Sequence, residues 1–356
     1  MVTVVSFIIV LGIMIFFHEF GHFIVAKRGG IKVIEFAFGF GPKLFGVQKG
    51  ETLYSLRLLP LGGFCRLLNE AELEMDLEDG KLTPEEYTAL YPRAFERKSY
   101  GRRLGVFAAG SFMNFVLGLL LFVIIFAVFG IGMASDSNVI GTVVADFPAA
   151  KAGLTAGDKI LSINGEPTPT WTDVSMKTNA GQGQALILQV ERANGEIQEM
   201  TLVPELDEQT GRTIIGIRPT ITTQKVSIIK AVQYGLQQTA DFTSLIVVTL
   251  VQMITGRIPA DIGGPVAVAQ VIGEGARAGM STLMSMTAVL SIQFGILNLF
   301  PIPGLDGGQI VVLTYEKIRR KKMNPEIKGA IQLTGLTLLM LLMVAVTFND
   351  IMRIFR

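Results

Sequence analysis

Hydrophobic and polar positions divide the chain before any motif is considered. Four apolar stretches are long enough to cross a bilayer, which takes about 20 mainly apolar residues. They are residues 4–26, 104–132, 281–300 and 329–348. A fifth stretch, residues 243–255, is only about 13 residues long and suits an interfacial or partly embedded helix. Residues 31–68 show neither a helical period nor a plainly polar character. Residues 31–38 read as a strand, and Gly39-Phe40-Gly41-Pro42 breaks it. Residues 44–47 and 52–58 form hairpin arms around Gln48-Lys49-Gly50-Glu51, and Pro60-Leu61-Gly62-Gly63-Phe64 ends the unit. Residues 70–79 are acidic and read as solvated, and Thr83-Pro84-Glu85-Glu86 reads as a helix start.

Residues 135–220 lack a spanning stretch and carry short strand patterns separated by turns. Residues 185–192 and 196–203 pair across Asn194-Gly195, a strong hairpin signal. The pattern predicts a polytopic α-helical membrane protein with four transmembrane helices, a membrane-associated β-hairpin region and one β-rich domain outside the membrane. The expected divisions are 1–134 for the first half of the membrane core, 135–220 for the β-rich domain, 221–280 for an amphipathic linker and 281–356 for the second half.

Charge then orients the spans. Lys27 and Arg28 follow the first, and Arg102 and Arg103 precede the second. Lys317, Arg319, Arg320, Lys321 and Lys322 lie between the third and fourth. With four spans all of these fall on one side, which the positive-inside rule makes cytoplasmic. Both termini and residues 135–220 are then extracytoplasmic. A crossing at 243–255 would carry the 317–322 cluster outside. Met1-Val2-Thr3-Val4 has no positive charge and no small-residue cleavage site follows, so the first stretch reads as a retained helix.

Of 356 residues, 17% are charged against about 25% in soluble domains, and 50% are hydrophobic, which fits the membrane reading. A net charge of +1 gives no ground for a nucleic-acid partner. The single cysteine, Cys65, can form no intramolecular disulfide and offers no cysteine-rich metal site.

Chemistry enters with His18-Glu19-Phe20-Gly21-His22, an H-E-x-x-H inside the first span that holds the chain's two histidines. Residues four apart share a helix face, so both imidazoles can meet one metal ion while Glu19 stands beside it. Charged groups in hydrocarbon cost about 2–3 kcal/mol each and are functional by default. Catalytic zinc sites take three protein ligands. The best third candidate is Asp306, in a proline- and glycine-rich stretch from Asn298 that also contains Pro301 and Pro303. Glu35 is its competitor, and Asp306 has the alternative of capping the next helix. Asn114, inside the second span, reads as a hydrogen bond between helices. The Asn298 amide is placed to hold a substrate backbone.

These residues resemble the site-2 proteases, intramembrane zinc metalloproteases, and most closely the bacterial type that regulates sigma factors. The resemblance rests on His18 to His22, Gly39-Phe40-Gly41-Pro42, Pro60-Leu61-Gly62-Gly63, Gly263-Gly264-Pro265 and the run from Asn298 to Gly308. It implies Zn2+ as cofactor, His18, His22 and Asp306 as ligands, and Glu19 as catalytic acid/base. It also implies that Asn298, Pro301 and Pro303 position substrate. Implied substrates are single-span membrane proteins in the lipid bilayer of the bacterial plasma membrane, such as pre-cleaved anti-sigma factors or remnant signal peptides. The β-rich domain resembles a PDZ domain, with Ala152-Gly153-Leu154-Thr155-Ala156-Gly157-Asp158 as its signature. Two departures stand out: there is room for one such domain where some members have two, and Gly110-Ser111 replaces the frequent Gly-Pro. Rival readings are a metal transporter, which would need polar residues through both leaflets, a prenyl-protein protease with more spans, and a silent scaffold.

Overall fold

The computed structural model describes residues 1–181, 183–207, 212–259 and 263–354. The chain forms two compact units, one from Met1–Val128 with Ser227–Arg356 and one from Phe129–Val226.

The first unit opens with α1 (Val2–Arg28), whose apolar run contains no proline and ends on Lys27 and Arg28, favourable charges at a helix C-terminus. β1 (Val33–Lys49) and β2 (Thr52–Leu67) follow. β2 doubles back around β1. Phe36, Ala37 and Phe38 stand opposite Cys65, Phe64 and Gly63 on one edge and Tyr54, Ser55 and Leu56 on the other. β1 turns back on itself as well, since Phe38 and Phe45 both stand opposite Leu56, and that reversal uses Gly39 and Gly41 at φ +90° and +82°, a region open to glycine at little cost. Glu51, in the hairpin turn, is held by Lys27 and Arg93, each at 2.6 Å, so the hairpin is tied to the end of α1. The acidic stretch folds as α2 (Glu70–Glu78), where Glu70 pairs with Arg97 and Lys322. α3 (Pro84–Leu90) begins on a capping box between Thr83 and Glu86.

α4 (Tyr100–Val128) packs along α1. In the second unit, β3 (Ile131–Ala134), β4 (Ile140–Val143), α5 (Pro148–Lys151), β5 (Lys159–Ile163), β6 (Glu166–Pro167) and α6 (Trp171–Ala180) are followed by β7 (Leu186–Glu191) and β8 (Ile197–Leu202). β9 (Glu205–Asp207), β10 (Arg212–Ile214), β11 (Ile217–Pro219) and β12 (Ile221–Gln224) complete it. Its main sheet has the order β6-β5-β7-β8, with the β7–β8 turn at Asn194-Gly195 as the sequence indicates. Ile140, Leu154, Ile160, Leu188, Val190 and Ile215 form its core.

The chain returns to the first unit through α7 (Ile228–Ile254), α8 (Pro265–Ala278), α9 (Met280–Asn298), α10 (Asp306–Arg319) and α11 (Pro325–Ile354). α7 corrects the sequence expectation: it is a helix of 27 residues, twice the apolar stretch. Lys230, Gln233, Gln237, Gln238 and Asp241 interrupt its first half, so an unbroken apolar run starts only near residue 243. Its other face packs on α4, where the Phe242 and Phe122 rings stack at 5.6 Å. Asp350 of α11 accepts from the backbone N–H groups of Gly264 and Ala267 at 3.1 and 2.9 Å, satisfying the start of α8.

Four helices among the described residues are long and apolar enough to cross a membrane: Val2–Arg28, Tyr100–Val128, Met280–Asn298 and Pro325–Arg353. Small residues let three of them touch. A methyl on Gly21 would lie 2.2 Å from Ala109 O, and one on Gly118 would lie 2.7 Å from Ile292 Cγ1. On α11, Leu333, Leu338, Leu341 and Val344 are each more than 60% exposed. An apolar face of that extent is at home in hydrocarbon, not water.

Candidate metal centre

Helical spacing puts His18 and His22 on one face of α1, and their Nε2 atoms are 3.3 Å apart. Nδ1 of His22 lies 2.7 Å from Val106 O of α4. A carbonyl only accepts, so Nδ1 carries the proton and Nε2 keeps its lone pair. Asp306 reaches the same point from the other end of the sequence. It is the first residue of α10, delivered by the turn after α9, where Gly304 has φ +97°. The turn is tight: a methyl on Gly307 would lie 2.2 Å from both Leu299 O and Phe300 O.

Asp306 Oδ2 is 3.3 Å from His18 Nε2 and 3.5 Å from His22 Nε2. Neither contact has hydrogen-bond geometry, so this buried oxygen has no donor. The three atoms make a triangle with edges of 3.3, 3.3 and 3.5 Å. Nitrogen and oxygen ligands at about 2.0–2.1 Å from a tetrahedral zinc stand about 3.3–3.4 Å apart. The donor set and its spacing fit zinc, and His18, His22 and Asp306 could hold it. The carboxylate faces the imidazoles instead of serving only as a helix cap.

Glu35, the competitor, is engaged elsewhere. Its Oε1 accepts from Ser55 Oγ at 2.6 Å and from Arg57 Nη2 at 2.7 Å. Burial pushes its pKa up, but these two bonds and the charges of Arg57 and Arg66 outweigh it and hold the carboxyl below the ordinary range. Glu19 follows His18 and faces β2, where a methyl on Gly63 would lie 3.2 Å from Glu19 Cγ. It is close enough to feel the charges of both histidines and Asp306. Burial, with the charge of Glu19, pushes the Cys65 thiol up to about 12, so it stays neutral and is no thiolate ligand.

Two residues gain roles that the sequence did not reveal. Gly110 lies under the imidazoles: a methyl there would be 2.4 Å from His22 Nε2 and 2.8 Å from His18 Cε1. Asn114, read as a helix-to-helix bond, makes one, and its partner on α1 is a candidate ligand: Nδ2 lies 3.0 Å from His18 Nδ1. A second link, to α9, goes through its backbone, where Ser291 Oγ donates to Asn114 O at 2.9 Å. The usable signal for Asn114 was a polar residue in an apolar span; its partner lies 96 positions away. Asn298 ends α9 with its amide nitrogen bonded to Phe294 O at 3.1 Å. Pro301 is exposed, while Pro303 packs on α11, where a methyl on Gly335 would meet Pro303 O at 2.1 Å.

Known proteins agree with this chemistry. Residues 6–342 match the model of Peptidase family M50. Zinc metalloprotease RasP of Geobacillus kaustophilus is 36% identical, with 99% of this chain and 98% of that protein covered. Regulator of sigma-W protease RasP of Bacillus subtilis is 33% identical, with 99% of each covered. Among solved structures, the PDZ domain of the SdrC-like protein from Listeria monocytogenes is 21% identical over 24% of this chain and 90% of that one, with a TM-score of 0.21. The chain belongs to peptidase family M50: it is an integral membrane zinc metalloprotease of the site-2 type.

Proposed function

We propose that the protein hydrolyses peptide bonds within or at the edge of transmembrane segments of single-span membrane proteins. The observation that carries this is the buried triangle of His18, His22 and Asp306, with Glu19 beside it, on a helix apolar enough to cross a bilayer. His18, His22 and Asp306 are the zinc ligands in this reading. Zinc held there supplies Lewis acidity toward a carbonyl oxygen and toward water. Glu19 takes the proton of the attacking water on its carboxylate and returns it to the leaving amide nitrogen. Val106 O keeps the His22 ring in the productive tautomer.

A helical substrate hides its carbonyls and must unwind before attack. Gly63 to Cys65 pair with β1 on one side and run past Glu19. The free side of that strand is the place where an unwound substrate adds as a further strand. In this reading Asn298, Pro301 and Pro303 help hold it. His18 to His22 lie five to nine residues before Lys27, about 8–14 Å along the helix. With the basic residues cytoplasmic, the site sits near the inner face of the plasma membrane, crossed by four spans, with both termini outside.

The domain at 135–220 is PDZ-like and extracytoplasmic in this reading, with 1–134, 221–280 and 281–356 as the remaining divisions. It holds a groove of about 580 Å3 between α6 and residues 213–218, lined by Trp171, Val174, Ile215 and Ile217, which suits the apolar end of a newly cut chain. Anti-sigma factors, alone or after a prior cut, and remnant signal peptides are the substrate classes proposed, and the name of the Bacillus subtilis relative supports the first.

The test uses proteoliposomes with a single-span substrate. Glu19→Gln is expected to keep one zinc and lose cleavage, and Asp306→Asn to lose the metal. Full cleavage by the first variant removes the acid/base role, and unchanged metal in the second removes the ligand.

A further inference from the structure

The two histidines differ at their second ring nitrogens. Nδ1 of His22 faces a main-chain carbonyl, which leaves no choice of tautomer. Nδ1 of His18 faces the carboxamide of Asn114 at 3.0 Å, and a carboxamide can donate or accept. Asn114 is fully buried, and with Nδ2 turned to the ring its Oδ1 is left without a donor. A donor at Nδ1 would put the His18 proton on Nε2, the atom 3.3 Å from Asp306 Oδ2. That nitrogen would then be closed to a metal. A half-turn of the carboxamide reverses the situation. Oδ1 gains the donor it lacks, Nδ1 carries the proton, and Nε2 presents its lone pair beside that of His22.

We infer that Asn114 is the positioning residue of the metal centre: its Oδ1 accepts from His18 Nδ1–H, and so fixes the tautomer in which His18 binds zinc. This rests on the proposed ligand set. The carboxamide is held at the right height because Ser291 Oγ of α9 donates to Asn114 O at 2.9 Å, with both residues fully buried. The polar groups around His18 then act in concert. Asn114 turns the ring, α9 fixes Asn114, and Asp306 completes the triangle. Partners that orient metal-bound histidines in this way change metal affinity about 10–100-fold when removed.

The test uses the full chain in detergent, with zinc affinity read by competition with a chromogenic chelator and geometry by the visible spectrum of the cobalt(II) form. Asn114→Leu, similar in size but without an acceptor, is expected to weaken zinc binding about 10–100-fold and change the cobalt spectrum. Asn114→Asp keeps an acceptor and is expected to bind zinc at least as tightly as the wild type. Ser291→Ala loses the bond between helices; it is expected to lower the thermal midpoint without the loss of affinity seen in Asn114→Leu. A folded Asn114→Leu with wild-type affinity and spectrum overturns the inference, as does an Asp variant as weak as the Leu variant. Should the Leu variant not fold, nitrogen-15 spectra of the zinc-loaded wild type decide: a proton on His18 Nδ1 supports the assignment and a bare Nδ1 overturns it. Zinc retained after His18→Ala overturns the ligand set itself. Zinc lost with His18→Ala but not with Asn114→Leu overturns the role of Asn114 alone.

Discussion

The smallest change with the largest expected effect is Gly110→Ala. The added methyl would sit 2.4 Å from His22 Nε2, 2.7 Å from His22 Cε1 and 2.8 Å from His18 Cε1. Carbon and nitrogen atoms pack at about 3.5 Å, so something must yield by about 1 Å. The imidazoles can yield only by leaving the triangle whose edges are 3.3 to 3.5 Å. Metal sites tolerate about 0.2 Å in bond length, so a shift of that size breaks a zinc–nitrogen bond. The other route is for α4 to back away from α1. Their closest packing, Gly21 against Ala109 O, would then open. Overpacking of this kind costs about 1–3 kcal/mol. The expected result is a folded protein with a thermal midpoint a few degrees lower and zinc affinity reduced at least about 100-fold. Thermal unfolding of the metal-free protein and chelator competition separate the two effects. A variant that binds one zinc as tightly as the wild type would show that the imidazoles have room to spare, and the steric argument would be wrong.

Two further outcomes follow from parts remote from the metal. Glu35→Gln removes the partner of a mostly buried guanidinium and is expected to cost about 3 kcal/mol at pH 7. Because the folded-state pKa of Glu35 lies below the ordinary 4.5, its pH-dependent stabilisation is complete above that value and fades as pH falls through the lowered one. Unfolding of the two forms from pH 7 to 3 should therefore show a gap that narrows only at the acid end; a constant gap would deny the ionic contribution. Deleting residues 137–219 leaves β3 and β12, paired from Ala134 with Ile221 to Ile131 with Gln224, as a stem that a short turn can close. That variant should keep its zinc and cut a wider range of substrates; loss of zinc would make the second unit part of the metal-bearing core.

Much of this was legible because it depends on neighbours in sequence. The H-E-x-x-H spacing needs only a helical repeat to bring His18 and His22 together. The turn at Gly50, the hairpin at Asn194-Gly195 and the capping box at Thr83 are local chemistry and appear where their residues predict. α7 was underestimated because polar residues on one of its faces hide a helix that continues beneath them. The choice between Asp306 and Glu35 depended on a fold that joins α10 to α1 and leaves Glu35 with Arg57. Gly110 and the partner of Asn114 were opaque for the same reason. A missing methyl and a carboxamide acquire meaning only once the crossing of α1 and α4 sets the imidazoles against them.

That crossing has a mechanical consequence. Gly21 brings α1 against the backbone of α4, and Gly118 and Gly295 bring α4 and α9 together in the same way. Three rods locked at such short range behave as one anvil, with no slack for a strand to pry them apart. If the substrate is a membrane span, as proposed, the expectation is that it is admitted by give in the surrounding helices, while the block that bears the donors stays still.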